Sequence, residues 1–285
     1  MTTKTTPSKN KIKTNHPWGN LLGTGPRIVT LDIETAPILA YVWGLFKQFV
    51  GLDQIVADWS ILSVTWKWLD EDKCHYVDTY ENGRAKDIRD DSKLLQKLWL
   101  VLDEADIVVT QNGIQFDIKK INARFIQAGM LPPSPYRQVD TKVEAVKIAR
   151  FTSNKLAWLA KILNGSQKDK HAEFPGFELW AECLKRNPRA WAAMKKYNPI
   201  DVIETEGAYL KMRPWIIGHP NVANFMPGQT NPACPKCGSE NVQHRGTART
   251  QTGTYRRMHC GGCGGWSRSR YTTNTMAERR ALLSN

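Results

Sequence analysis

The sequence predicts an α/β domain built on a mixed sheet flanked by helices, followed by a second and much smaller metal-bound module. Three observations carry that prediction. Short apolar runs of strand type come first and then alternate with segments of helical period. A stretch holding three prolines and one glycine, His219 to Pro232, interrupts them. Two Cys-x-x-Cys pairs follow, Cys234/Cys237 and Cys260/Cys263.

Taken in order, Arg27 to Ile33 reads as a strand entered from the Gly23-Thr24-Gly25-Pro26 turn. Ile61 to Leu69 and Cys74 to Val77 form a hairpin across Glu71-Asp72. Ser92 to Glu104 places apolar residues at 94, 95, 98, 101 and 102, a helical period, and Ile107 to Thr110 is a buried strand. Asp117 to Ala128 is a helix with Ile118, Ile121 and Phe125 on one face and Gly129 closing it. Further helices are expected over 141–149, 154–163, 177–185, 188–196 and 199–211. Asp140 caps the first of these, and Pro199 belongs in the opening turn of the last, where its missing N–H does no harm. The expected divisions are a flexible basic arm at 1–24, a principal domain at 25–218, a linker at 219–233, the Cys module at 234–270 and a tail at 271–285.

A net charge of +13 and a pI near 9.5 point to a polyanionic partner, nucleic acid foremost. The charge is uneven, since the chain from Cys234 onward carries nine Lys or Arg against Glu240 and Glu278. No apolar run approaches the roughly 20 residues of a membrane helix, and no apolar core of an export signal follows the N-terminal lysines. Four of the six cysteines stand in close pairs, which favours metal ligation over disulfides and a reducing compartment, the cytoplasm of a bacterial or phage-infected cell. Cys74 and Cys183 are expected to be ordinary, partly buried thiols.

Asp32 and Glu34 stand two apart on an apolar strand and so point to one face. In Asn112-Gly113-Ile114-Gln115-Phe116-Asp117 a buried strand runs through a glycine turn into a helix that begins at the aspartate. In Tyr197-Asn198-Pro199-Ile200-Asp201 a tyrosine precedes an aspartate by four. Each has a plain structural explanation by itself, as a strand-end acid, a helix cap or a first-turn acid. Together, in this order and on these elements, they resemble the D-x-E, N-x-x-x-F-D and Y-x-x-x-D motifs of the DEDD exonuclease superfamily. The resemblance covers residues 25 to 218 and implies a ribonuclease H-like fold. The tyrosine form is similar to the branch that includes polymerase proofreading domains and RNase D, and Ala40 to Leu45 with Leu62 to Leu69 resemble small exonucleases of tailed phages. It implies that Asp32, Glu34, Asp117 and Asp201 bind two Mg²⁺ or Mn²⁺ and that Tyr197 orients the attacking water. Hard divalent ions take oxygen ligands, and phosphodiester hydrolysis needs both an activated water and stabilisation of the departing oxyanion.

Near these acids, Lys119, Lys120 and Arg124 either contact phosphates or form a solvated helix face, and Trp43 and Phe46 either stack on bases or, as the favoured reading, pack in the core. In the Cys module, two knuckles 22 residues apart predict a closed four-thiolate Zn²⁺ site, with strands at Val242 to Arg249 and Tyr255 to His259 joined at Gly253. This resembles the zinc ribbons of transposases and transcription factors. Arg245, Arg249, Arg256, Arg257, Arg268 and Arg270, interleaved with Tyr255 and Trp266, form a nucleic-acid grip, with a protein-docking surface as the alternative. The expected activity is 3′-to-5′ exonucleolytic cleavage, of DNA in the first place and of RNA as the alternative. The rival of a different class is a non-catalytic nucleic-acid-binding protein on the same scaffold.

Overall fold

A computed structural model describes residues 25–166 and 173–283; the arm expected at 1–24 and the last two residues of the tail lie outside the described residues. The chain divides into a unit spanning Arg27–Met212 and a second that takes in the chain from Arg213 onward. Among the described residues no helix is long and apolar enough to cross a membrane.

The first unit runs β1 (Ile28–Thr35), β2 (Leu39–Ala40), β3 (Ile55–Ala57), β4 (Ile61–Trp68), β5 (His75–Asp78), α1 (Ser92–Glu104), β6 (Ile107–Thr110), α2 (Asp117–Gln127), β7 (Arg137–Asp140), α3 (Thr141–Ile148), α4 (Leu156–Leu159), α5 (Glu178–Leu184) and α6 (Pro188–Met212). Five strands form one mixed sheet in the order β5-β4-β1-β6-β7. The β4 and β5 pairings are antiparallel, and the β6 and β7 pairings parallel. This is a ribonuclease H-like mixed sheet flanked by helices.

Strand alternation gives the sheet two unlike faces. Val29, Leu31 and Ile33 of β1 with Val64, Trp66 and Trp68 of β4 pack against Leu94, Leu95, Leu98 and Leu102 of α1 and Ile118, Ile121 and Phe125 of α2. The alternate residues include Ser63, Thr65 and Lys67, all buried, and they meet α6 through polar pairs. Asn198 accepts from both hydroxyls, and the Lys67 ammonium pairs with Glu206 at 2.7 Å. An all-buried strand with three polar residues is tolerable only because each polar group finds a partner.

Three elements differ from expectation. β7 contains one apolar core residue, Val139, and gave too little pattern to read; its place comes from parallel pairing with β6. The hairpin of β2 and β3 was not anticipated, and Trp43 and Phe46 between its strands are exposed, so the favoured core reading is wrong. The helices expected at 188–196 and 199–211 are one, α6, with Pro199 inside it. An interior proline costs about 3 kcal/mol. The uninterrupted burial of Trp191 and Met194 before it and of Val202, Ala208 and Tyr209 after it offsets that loss.

The second unit contains β8 (Val242–Arg249), β9 (Thr254–Cys260), β10 (Trp266–Arg268) and α7 (Met276–Ala281), with the strands antiparallel in the order β10-β9-β8. The third strand and α7 were not foreseen. Within 219–233, the Val222 amide donates to the Pro235 carbonyl at 2.8 Å. A cluster of four cysteines lies in this unit, consistent with a small zinc ribbon.

Candidate active site

β1 and α6 build the site together. Asp32 and Glu34 leave β1 on the α6 side of the sheet, and one carboxylate oxygen from each lies within 4.8 Å of one from Asp201 on α6. Asp201 is buried. Three carboxylates at that separation repel one another, and a divalent cation relieves the repulsion. The donor set is all oxygen, which fits a hard ion such as Mg²⁺ or Mn²⁺.

Asp32 and Glu34 are each oriented by a neighbour that the sequence did not single out. Asn198, fully buried on α6, donates its amide to Asp32 Oδ2 at 2.6 Å while its own oxygen accepts from Thr65 at 2.9 Å and Ser63 at 3.3 Å. Trp180 of α5 donates its indole N–H to Glu34 Oε2 at 2.9 Å and packs edge-on against the Tyr197 ring. The only signal for Asn198 was its place inside the tyrosine motif; nothing in the sequence marked Trp180. We expect Asn198→Ala to lower turnover by about 10–100-fold, the usual cost of losing a group that orients a metal ligand. Thermal stability should fall as well, because the Ser63 and Thr65 hydroxyls lose their acceptor. Unchanged Mg²⁺ dependence in this variant would show that Asp32 needs no such support.

Tyr197 lies within α6 and not at its start, so the four-residue spacing puts it on the face of Asp201. Its hydroxyl donates to Asp201, and burial followed by the charges of Asp201 and Glu34 holds its pKa well above the usual phenol range. In the metal-free site the hydroxyl therefore stays protonated and gives its proton to Asp201.

Asp117 stands apart. It is the first residue of α2, buried, and its Oδ1 accepts from the Ile33 amide at 3.1 Å, between the two β1 acids in the chain. Its carboxylate is not within the 4.8 Å group. The loop before it is tightly specified. Asp140 takes hydrogen bonds from Asn112 at 2.9 Å and Ile114 at 3.1 Å as well as capping α3, and a Cβ at Gly113 would lie 2.2 Å from Thr110 Oγ1.

Burial raises the Asp117 pKa to about 7. A carboxyl that holds its proton longer when folded contributes stability that is complete below the ordinary pKa near 4 and is lost as pH rises through 7. Metal-free protein should accordingly melt at falling temperature from pH 5 to pH 8, and Asp117→Asn should flatten that slope. Parallel slopes for the two proteins in EDTA would remove Asp117 as its source.

Of the basic residues near the acids, Arg124 is committed to buried Asp91 through two bonds of 2.7 and 2.8 Å, so it is structural. Lys119 bonds Gln115, and Lys120 lies 3.7 Å from the Trp59 ring centroid.

In the second unit, all four cysteines are buried, and Sγ atoms approach across the knuckles at 3.7 Å for both Cys234–Cys263 and Cys237–Cys260. That matches the edge of a tetrahedron about an ion 2.3 Å from each sulfur, about 3.8 Å. Cys260 Sγ also accepts from the amides of Gly262 and Cys263. On the sheet, Arg268 stacks over Tyr255 at 3.9 Å, Arg257 lies 5.1 Å from the Trp266 ring centroid, and Arg270 lies 5.7 Å from that of Tyr271. Arg245, Arg249 and Arg256 are exposed.

The sequence profile of the RNase_H superfamily matches residues 62–212, which include Asp117, Tyr197 and Asp201 but begin after Asp32 and Glu34. A search of the curated proteins finds no match. Among solved structures, the chain is similar to the family B DNA polymerase from the hyperthermophilic archaeon Pyrobaculum calidifontis, with 16% identity and a TM-score of 0.50 over 66% of this chain. The chain spans 25% of that polymerase's length, and at this identity the likeness shows the fold alone.

Proposed function

The chain belongs to the RNase_H superfamily, and from that membership we propose that it is a metal-dependent 3′-to-5′ exonuclease of the tyrosine DEDD type, with DNA as its main substrate. The observation that carries the proposal is the convergence of Asp32, Glu34 and Asp201 within 4.8 Å, each tied to a hydrogen-bonding neighbour. A scaffold kept only for binding has no need of three mutually repelling carboxylates with dedicated donors. Asp32, Glu34 and Asp201 would hold a first Mg²⁺ or Mn²⁺, and Asp117, beside Ile33, would contribute to a second. Such ions, when bound, supply water activation and neutralise charge on the scissile phosphate.

The chain's own residues supply the rest. The hydroxyl of Tyr197, its single proton directed at Asp201, offers its oxygen as a hydrogen-bond acceptor that orients the incoming water, while Asn198 and Trp180 keep Asp32 and Glu34 from turning away. In this reading the four thiolates hold one structural Zn²⁺, and the basic sheet of the ribbon grips nucleic acid through its arginines, Tyr255 and Trp266. A protein partner on the same sheet is the alternative.

The deciding experiment incubates purified protein with 3′- and 5′-labelled DNA and RNA oligonucleotides, with and without Mg²⁺. The expected result is a stepwise ladder from the 3′ end of DNA in Mg²⁺ only, with circular single strands surviving. Rapid nicking of circles would identify an endonuclease, and a ladder on RNA alone an exoribonuclease.

A further inference from the structure

We propose that the hairpin between β1 and β4 is a stacking platform for the bases at the 3′ end of a single strand entering the carboxylate site, an inference that rests on the exonuclease reading. Between its two short strands Trp43 is 99% exposed, Phe46 85% and Phe49 97%, and Tyr41, Leu45 and Leu52 are exposed beside them. Aromatic rings three residues apart and this exposed belong to no core cluster of the described residues.

The position of the hairpin selects the ligand. Its feet are the ends of the strands that build the site: Glu34 pairs with Ser63 and Thr35 with Ile61. The feet are clamped, because the Ala36 amide donates to the Ser60 carbonyl at 2.8 Å and the Arg89 guanidinium donates to the carbonyls of Pro37 at 3.2 Å and Asp58 at 2.8 Å. Leu39, where the hairpin starts, is five residues from Glu34, which limits the separation to about 17 Å, the length of about five stacked nucleotides, and the first of the three rings, Trp43, follows four residues later. At the other foot, Trp59 carries the Lys120 ammonium over its ring, and the same ammonium lies 5.8 Å from the ring centroid of Phe116, next to Asp117. A cation flanked by two rings, one helical turn along α2 from Asp117, suits a phosphate with bases on either side.

Chemistry points the same way. Residues 38–57 carry one Lys and one Asp, so the surface offers rings to uncharged bases and leaves the phosphate charge to Lys120 and the surplus of the rest of the chain. Stacking on aromatic rings accepts any base, as an enzyme that removes successive nucleotides requires.

The test compares binding, in EDTA by fluorescence anisotropy, of a single-stranded oligonucleotide with one carrying abasic residues at its last six 3′ positions and one carrying six at its 5′ end. The wild-type protein should lose affinity on the order of tenfold or more for the 3′-abasic strand only. Trp43→Ser combined with Phe46→Ser and Phe49→Ser should bind all three strands alike, at the level of the 3′-abasic strand. Equal binding of all strands by the wild-type protein would overturn the platform while a Mg²⁺-dependent 3′ ladder left the exonuclease reading standing. Absence of the ladder would remove the reading and the platform together. A triple variant that binds as the wild type but changes its sedimentation would make the hairpin a contact between copies of the chain and overturn the proposal.

Discussion

Asp32→Asn and Asp201→Asn should each lower hydrolytic turnover by about three orders of magnitude, a loss of about 4 kcal/mol of transition-state stabilisation, while the protein stays folded. The substitutions keep shape and remove charge. An asparagine at 32 still offers an oxygen to the Asn198 amide, and one at 201 still accepts from the Tyr197 hydroxyl, so the contacts that hold β1 to α6 survive. What goes is one of three negative charges that a hard cation needs within reach. Tyr197→Phe should be milder, since it removes a hydroxyl and no ligand. Turnover and melting temperature measured across a Mg²⁺ titration separate the cases. Near-full activity with ordinary Mg²⁺ dependence in both aspartate variants would sink the carboxylate assignment, and a Tyr197→Phe loss as deep as theirs would give that hydroxyl a larger role.

Replacing Cys260 and Cys263 together by serine should unfold the ribbon. Its buried cluster consists of the four cysteines with Val242 packed against them, and β8 is exposed along nearly all its length. A unit with that little apolar burial depends on its metal, and structural zinc contributes about 10–16 kcal/mol in isolated fingers. The double variant should lose zinc by elemental analysis and become protease-sensitive beyond Arg213, with the carboxylate site still active at saturating substrate. Its nucleic-acid affinity should depend less steeply on salt, because each lost phosphate contact on a single strand flattens the slope of log K against log salt by about 0.7. An unchanged slope would transfer the arginine face to a protein partner.

Much of this was legible from residues alone. The apolar periods gave β1, β4, α1, β6 and α2, because each buries a face whose pattern is written locally. The two Cys pairs gave the ribbon, because a knuckle is a short-range device. Spacing placed Asp32 and Glu34 on one side of a strand, whereas only the resemblance to the DEDD motifs named Asp117 and Asp201 as their partners, and of these two Asp201 alone joins them within 4.8 Å.

The tertiary structure decided what depended on several elements at once. Pro199 reads as a helix start, yet packing on both sides of it carries α6 through. β7 exists because β6 offers it a parallel partner, and Trp43, apolar enough for any core, stands in water because none of the core clusters of the described residues takes it in. Asn198 and Trp180 looked like ordinary side chains until the fold brought them, from 166 and 146 residues away, to within hydrogen-bond distance of Asp32 and Glu34. A sequence shows which residues can bind an ion; the orientation of their oxygens is set by neighbours that only folding makes adjacent.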